Sequence, residues 1–134
     1  MNIVIDTNVF VGAAFSPASS SGQILAAVAD GRLQLVWDDA TRGETMRVLA
    51  KIPPIDEDEF VDLFDDDGHF DGSTTPEDFE IVADPADRKF AALAAAADVV
   101  LISNDSDLLD VRDELPVQVQ TPSEFVSSRP EVSS

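Results

Sequence analysis

The chain has 134 residues, a length that predicts one folded domain with a substantial hydrophobic core. Its 27 acidic residues far outnumber its 8 lysines and arginines, so the net charge is −19. The electrostatic field of such a protein attracts cations and basic partners and repels nucleic acid and anionic membranes. The absence of cysteine excludes disulfides and thiolate metal sites. The N-terminus lacks the pattern of a signal peptide, and no apolar stretch is long enough to cross a bilayer. We therefore expect a cytoplasmic protein with no membrane association.

Short apolar segments alternate with amphipathic ones along the chain, which is typical of a parallel sheet covered by helices on both faces. Strands are predicted at 2–5, 33–37, 99–103 and 117–119, with a short edge strand at 79–82. Helices are predicted at 22–29, 39–51, 56–66, 86–97 and 107–113, and a last helical turn begins at residue 121. The fold class is therefore predicted to be α/β. The domain is expected to span residues 1–128, and residues 129–134 are expected to form a disordered tail.

An aspartate ends the first predicted strand. Asp6 follows the apolar, β-branched run 3–5, and the sequence offers it neither an ion-pair partner nor a helix to cap. A carboxylate is costly to bury at the end of a core strand unless something uses or neutralises it. Ligands and metals bind beyond the carboxyl ends of the strands in parallel α/β sheets. Asp6 is therefore a candidate functional residue.

Three further acids are predicted to reach the same edge of the sheet. Asp105 follows the strand at 99–103, Asp87 shares the buried face of the alanine-rich helix, and Glu44 lies at the margin of a buried helical stripe. Each has a structural alternative. Asp105 and Asp107 can cap the next helix, Asp87 can favour a helix N-terminus, and Glu44 can form surface ion pairs along its helix.

Carboxylates without histidine or cysteine partners indicate a hard cation, and Mg²⁺ and Mn²⁺ prefer oxygen ligands. Four acids packed together repel one another unless a cation lies between them. The matching reaction is metal-assisted hydrolysis of a phosphodiester. An EF-hand calcium loop at 63–74 is excluded, because Leu63 stands where the first oxygen ligand is needed and Thr74 stands where the twelfth position needs glutamate.

Four segments in order resemble the motifs of PIN-domain nucleases. They are Val-Ile-Asp-Thr-Asn-Val at 4–9, Glu-Thr-Met-Arg-Val-Leu at 44–49, Asp-Pro-Ala-Asp-Arg-Lys-Phe-Ala-Ala-Leu-Ala at 84–94 and Leu-Ile-Ser-Asn-Asp-Ser-Asp-Leu-Leu at 101–109. The Asp-Pro-x-Asp form of the third motif most resembles the small stand-alone members regarded as toxins of toxin–antitoxin pairs (VapC-like).

This resemblance implies a three-layer α/β/α fold with a central parallel sheet, and cleavage of single-stranded RNA that depends on Mg²⁺ or Mn²⁺. It implies catalytic and metal-binding roles for Asp6, Glu44, Asp87 and Asp105, with Asp107 as a candidate fifth ligand. Asn8 resembles the polar residue that orients the first aspartate in this family, and Thr7 lies beside it. A cognate antitoxin and a homodimer are the partners that the resemblance implies.

The acidity of the chain departs from the basic surface that many such toxins present to RNA. Affinity for RNA depends on neutralising its phosphates with lysine and arginine. The candidate substrate-binding residues lie in the two helices that carry Glu44 and Asp87, and they are Arg42, Arg47, Lys51, Arg88 and Lys89. The alternative is that these side chains pair with nearby acids.

Two other functions remain open at this point. A PIN-fold binding module that has lost turnover would bind metal only loosely. A phospho-receiver domain also gathers acids around Mg²⁺, with Asp38 as the acceptor, but it needs a lysine after a late strand and none follows Lys89.

Overall fold

The structure is a computed structural model and describes residues 1–132. Four parallel strands form one sheet in the order β2-β1-β3-β4. The strands are β1 (Asn2–Ile5), β2 (Gln34–Leu35), β3 (Val100–Ile102) and β4 (Val119–Gln120). The α-helices are α1 (Thr7–Phe15), α2 (Ser20–Ala29), α3 (Asp39–Ala50), α4 (Arg88–Ala97), α5 (Ser106–Leu109) and α6 (Pro122–Ser128). None of the helices in residues 1–132 is long and apolar enough to cross a membrane.

Alternate side chains of the central strands enter two separate cores. Ile3 and Ile5 face α1, α2 and α6, whereas Val4 faces the opposite side, where α4 packs. Phe10 and Phe90 are among the largest buried side chains of the two cores, one on each side. A sheet buried on both faces between helices is a three-layer α/β/α sandwich, so the predicted fold class is confirmed.

Side-chain caps define where two helices of the fold begin. The Asp38 carboxylate accepts a hydrogen bond from the Thr41 backbone N–H at 2.8 Å, and the Thr41 hydroxyl lies 3.1 Å from the Asp38 N–H. Thr121 and Glu124 form the same reciprocal pattern at α6. Such capping boxes satisfy N–H groups that the first helical turn leaves unpaired.

Helix α1 has no counterpart among the predicted elements. Its sequence, Thr-Asn-Val-Phe-Val-Gly-Ala-Ala-Phe, contains little polar surface, because the helix lies between the sheet, α2 and α3. Without a polar face there is no helical periodicity to detect. The β-branched residues Thr7, Val9 and Val11 also disfavour a helix by intrinsic propensity.

The segment 56–82 differs from its prediction in two places. The expected helix at 56–66 is a 3₁₀ helix, Glu57–Leu63, and its three-residue period buries Phe60 and Leu63 while Val61 stays half-buried. The edge strand predicted at 79–82 is wrong. Phe79 ends the 3₁₀ turn Pro76–Phe79, and both Phe79 and Val82 are buried.

The C-terminal end continues past α6 as a 3₁₀ turn, Pro130–Val132, with Val132 in the core. An Arg32 guanidinium N–H donates to the carbonyls of Glu131 and Val132. This part of the predicted tail is therefore ordered. Residues 133 and 134 lie outside the described residues, and the domain boundary at 128 stays a prediction.

Two glycines, each inside a helix, give opposite predictions when replaced by alanine. A Cβ on Gly22 would lie 2.0 Å from the Pro17 carbonyl oxygen, whereas a Cβ on exposed Gly43 would meet nothing within 4 Å. Gly22→Ala should therefore lower the free energy of unfolding by about 2 kcal/mol, and Gly43→Ala should raise it by about 0.5–1 kcal/mol. Urea unfolding followed by circular dichroism measures both. Equal effects of the two substitutions would contradict the close approach of helix α2 to Pro17.

Candidate active site

Three aspartates meet at the edge of the sheet where the strands have their carboxyl ends. Asp6 follows β1, Asp105 follows β3, and Asp87 lies immediately before α4. Parallel pairing of Ile5 with Ile102 brings the ends of β1 and β3 side by side. One carboxylate oxygen from each aspartate lies within 4.8 Å of the other two. We call Asp6, Asp87 and Asp105 the carboxylate cluster.

Asp6 is 3% exposed and accepts two hydrogen bonds. One comes from the Thr7 backbone N–H at 2.7 Å, and the other comes from the Ser103 hydroxyl at 2.7 Å. Asp6 is therefore the N-cap of α1, and the interpretation that it has no helix to cap is wrong, because α1 itself was not predicted. The cap engages one carboxylate oxygen and Ser103 engages the other.

Ser103 is the residue of this site that sequence reasoning missed. It is completely buried, donates to the Asp6 carboxylate and accepts from the Asp105 backbone N–H at 2.9 Å. One hydroxyl group thus ties two members of the carboxylate cluster together. The available signal was a small polar residue at the end of a buried strand, two positions before an aspartate.

Asp105 belongs to the carboxylate cluster and also caps α5, since its Oδ1 accepts from the Asp107 N–H at 2.9 Å. The capping alternative is therefore correct for Asp105 without removing it from the cluster. Asp107 joins a second group, with Asp84 and Asp87, whose carboxylate oxygens lie equally close together. Asp87 is the member that the two groups share.

Asp87 is 8% exposed, and it does not cap a helix through its side chain. The capping role belongs to Asp84, which accepts from the Ala86 N–H at 3.0 Å. Of the buried side-chain oxygen and nitrogen atoms in residues 1–132, Oδ2 of Asp87 is the one without a hydrogen-bond partner. Such an atom is costly to bury unless a further group satisfies it.

The buried acids hold their protons more tightly than free aspartate does. Burial raises the pKa of Asp87 to about 8, helped by the close approach of the Asp105 carboxylate and by the negative charge of Asp6. Burial also raises the pKa of Asp6 to about 6, although hydrogen bonds from Ser103 and Thr7 oppose this shift. The cost of ionising these groups comes mainly from burial and partly from mutual repulsion, and a bound cation would offset both.

Glu44 lies apart from the carboxylate cluster. Its carboxylate accepts a hydrogen bond from Arg47 one turn along α3, and it lies 3.7 Å from the Lys89 ammonium on α4. Partial burial alone would raise the pKa of Glu44, but the Arg47 hydrogen bond and the charges of Lys89 and Arg47 outweigh burial and lower this pKa. The ion-pair alternative therefore describes the surroundings of Glu44.

Thr7 and Asn8 make different contacts. The Thr7 hydroxyl is hydrogen-bonded to the Thr45 hydroxyl at 2.8 Å, and this buried pair joins α1 to α3 beside Glu44. Asn8 accepts from the Asn104 backbone N–H at 3.4 Å. The hydrogen bonds that orient Asp6 come from Thr7 and Ser103.

The other three candidate substrate-binding residues are Arg42, Arg88 and Lys51, and each has a different kind of neighbour. The Arg42 guanidinium lies about 6 Å from the ring centres of Trp37 and Phe64. Arg88 donates to the backbone carbonyls of Val82 and Glu80, at 3.0 and 3.3 Å. Lys51 is exposed at the C-terminal end of α3.

The carboxylate cluster fits a hard divalent cation. Its donors are all carboxylate oxygens, which Mg²⁺ and Mn²⁺ prefer, and Oδ2 of Asp87 lacks any other partner. Asp6, Asp87 and Asp105 would hold the ion, with Asp84 and Asp107 beside them.

The raised pKa values of Asp6 and Asp87 predict a pH-dependent stability of the metal-free protein. A carboxyl whose pKa is higher in the folded state than in the unfolded chain stabilises the fold while it is protonated in both states, below about pH 4. The contribution of Asp6 is lost as pH rises through about 6, and that of Asp87 as pH rises through about 8. In EDTA, Tm should therefore fall between pH 4 and pH 8. Asp87→Asn should flatten this fall, and differential scanning fluorimetry measures it.

The matched control is Asp67→Asn, which removes an equal charge from an exposed position and should leave the slope of Tm against pH unchanged. Added Mn²⁺ should raise the Tm of the wild-type protein more at pH 8 than at pH 5.5, because protons compete with the ion. A wild-type Tm that rises with pH in EDTA, or an Asp87→Asn slope equal to that of Asp67→Asn, would contradict the assignment.

Comparisons with known proteins identify the family. The model of the PIN domain matches residues 2–107, a stretch that includes every acid of both carboxylate groups and Glu44. A similar solved fold occurs in the crystal structure of VapBC2 from Rickettsia felis bound to a DNA fragment from their promoter. The TM-score is 0.61 at 16% identity, over 90% of this chain and 98% of that chain. None of the curated proteins matches the sequence. On the family match over most of its length, this chain belongs to the PIN domain family.

Proposed function

We propose that this protein is a metal-dependent endoribonuclease that cleaves single-stranded RNA. The observation that carries the proposal is the buried, unpartnered Oδ2 of Asp87, which lies in a cluster of three carboxylates at the carboxyl edge of a parallel sheet. Membership of the PIN domain family supports nuclease chemistry. An oxygen-only donor set supports Mg²⁺ or Mn²⁺ as the cofactor.

In this proposal Asp6, Asp87 and Asp105 hold the ion, and Asp107 is a further ligand from the second group. The bound ion supplies a better water nucleophile and stabilises negative charge on the phosphate and the leaving oxygen. The protein itself holds the carboxylates of this site in position. Ser103 fixes Asp6 relative to Asp105, so the two carboxylates are oriented before an ion or a substrate arrives.

The route for RNA is proposed along α3 and α4, where five of the eight lysines and arginines lie within or beside the two helices. A protein with a net charge of −19 repels a polyanion at long range, so binding has to depend on local contacts with phosphates. We accordingly expect weak binding that falls as the salt concentration rises.

Asp6→Asn tests the proposed reaction. The wild-type protein should cleave a labelled single-stranded RNA in Mn²⁺ and not in EDTA. Asp6→Asn should lower the rate by at least about 100-fold, because it weakens the ion's hold, while it keeps the cap on α1, since asparagine is an equally good N-cap. Gel analysis of the products measures cleavage, and Tm in EDTA measures folding.

Asp67→Asn is the control for loss of one charge and should cleave at the wild-type rate. Equal cleavage by Asp6→Asn and wild type would contradict the proposal. A wild-type protein that binds Mn²⁺ but cleaves no RNA would instead favour the inactive binding module. Calorimetry with Mn²⁺ separates these outcomes.

We extend the proposal to a cytoplasmic toxin that a protein antitoxin neutralises and that forms a homodimer. Support comes from the Asp-Pro-x-Asp form of the third motif and from a fold similar to that of a chain in the VapBC2 complex. The acidic surface favours a partner with a basic segment. Co-purification with the product of the neighbouring gene, and loss of RNA cleavage in that complex, would support this extension. Stable co-purification without any loss of cleavage would contradict it.

A further inference from the structure

Glu44 has cations as its closest charged neighbours, unlike the members of the carboxylate cluster. Neither group of carboxylates that could hold an ion includes it. The groups that act on its pKa are its own partial burial, Arg47 and Lys89, whereas Asp6 and Asp105 act on the pKa of Asp87. The neighbours of Glu44 are cations, so its charge is already compensated without a metal ion.

The two cations that contact Glu44 reach solvent. The Arg47 side chain is 56% exposed and that of Lys89 is 27% exposed, while the Glu44 side chain between them is only 14% exposed. One partly buried carboxylate thus contacts a guanidinium and an ammonium, and the three groups together have a net charge of +1. We call Arg47 and Lys89 the cation pair.

Two independent connections link the cation pair to the carboxylate cluster, one along α4 and one through α1. Lys89 is two residues past Asp87 at the start of α4. On the other side, the Thr45 hydroxyl next to Glu44 is hydrogen-bonded to Thr7, the neighbour of Asp6. These connections place the cation pair in the same region of the fold as the carboxylate cluster, where α1, α3 and the start of α4 meet.

Most other cations of the chain are engaged elsewhere. Arg32 pairs with Asp30, and Arg112 pairs with Glu124. Arg129 lies 4.4 Å from the Phe125 ring centre, and Arg88 binds backbone carbonyls. Arg42 lies over the Trp37 and Phe64 rings, and Lys51 is exposed at the C-terminal end of α3. The cation pair differs from all of these because one carboxylate holds two cations together between α3 and α4.

We propose that Arg47 and Lys89 bind a backbone phosphate of the substrate, and that Glu44 positions these two cations instead of serving as a metal ligand. The proposal rests on the proposed function insofar as the phosphate belongs to RNA. Glu44 is then a positioning residue. Its carboxylate keeps two flexible side chains at one place, where their remaining N–H groups can bind the singly charged phosphodiester when substrate arrives.

The first test measures metal binding without any RNA. Isothermal titration of Mn²⁺ into Glu44→Gln should give an affinity within about twofold of the wild-type value. Asp87→Asn, which removes a carboxylate of the cluster, should lose at least about tenfold in the same measurement. A tenfold or greater loss in Glu44→Gln would overturn the positioning role and return Glu44 to the metal ligands.

The second test measures binding of a fluorescent 12-nucleotide oligouridylate in Ca²⁺, under conditions where a gel shows that the oligonucleotide stays intact. Arg47→Gln and Lys89→Gln should each weaken binding about threefold to tenfold and lower the slope of log Kd against log salt by about 0.7, as expected for one lost phosphate contact. Glu44→Gln should bind at least as tightly as wild type, because it removes a competing negative charge.

Arg32→Gln is the matched control, since Arg32 lies two residues before the start of β2, near the opposite edge of the sheet. It should leave the Kd and the salt slope unchanged. Unchanged binding by both Arg47→Gln and Lys89→Gln would overturn the proposal. These two tests do not require cleavage, so they decide the matter even if the protein proves not to be a ribonuclease.

If the protein does cleave RNA, Glu44→Gln should lower kcat without raising KM, because the cations still attract the substrate but no longer hold it in place. A rise in KM with unchanged kcat would contradict a positioning role.

Discussion

The hydrogen bond from Ser103 to Asp6 connects the packing of this protein with its chemistry. A polar residue follows each of the strands β1 and β3, Asp6 after β1 and Ser103 after β3. Because the two strands pair in parallel, these residues lie at the same edge of the sheet. A buried carboxylate there would be costly alone, but it receives the Ser103 hydroxyl and the first N–H of α1. The contacts that make Asp6 tolerable in the core also hold it beside Asp105.

Asp87 represents the opposite situation. Its Oδ2 atom has no partner among the described residues, and its neighbours are acids. Natural proteins retain such groups chiefly at functional sites, where a ligand supplies what the fold omits. The carboxylate cluster therefore combines one carboxylate that the protein satisfies fully with one that it leaves for a bound ion.

Much of this arrangement follows from reading the chain, because strand ends and helical faces are local properties. The positions of Asp6 and Asp105 after buried strands, and of Asp87 on the inner face of its helix, are sufficient to bring the three together. Helix α1 was not predictable in this way, since a helix surrounded by apolar neighbours carries no amphipathic period.

The contacts of Ser103 and Glu44 depend on long-range packing, which periodicity does not reveal. Ser103 meets Asp6 across 97 positions of sequence, and Glu44 meets Lys89 only because α3 and α4 approach each other. Similarly, Phe79 and Val82 share a buried side through a turn and not through a strand. In these cases the neighbours of each residue depend on tertiary structure, so its contacts could not be predicted from local sequence.

The proton that Asp87 carries has a consequence for how the protein takes up metal. Burial raises the pKa of this carboxyl to about 8, so a proton is held there more tightly than on a free aspartate. A cation that binds in the proposed site would release this proton to solvent, so binding would be an exchange of one cation for another. The heat of binding then depends on which buffer accepts the proton, and affinity weakens as the surroundings acidify. Protons and the proposed metal ion would therefore compete for the same carboxyl group.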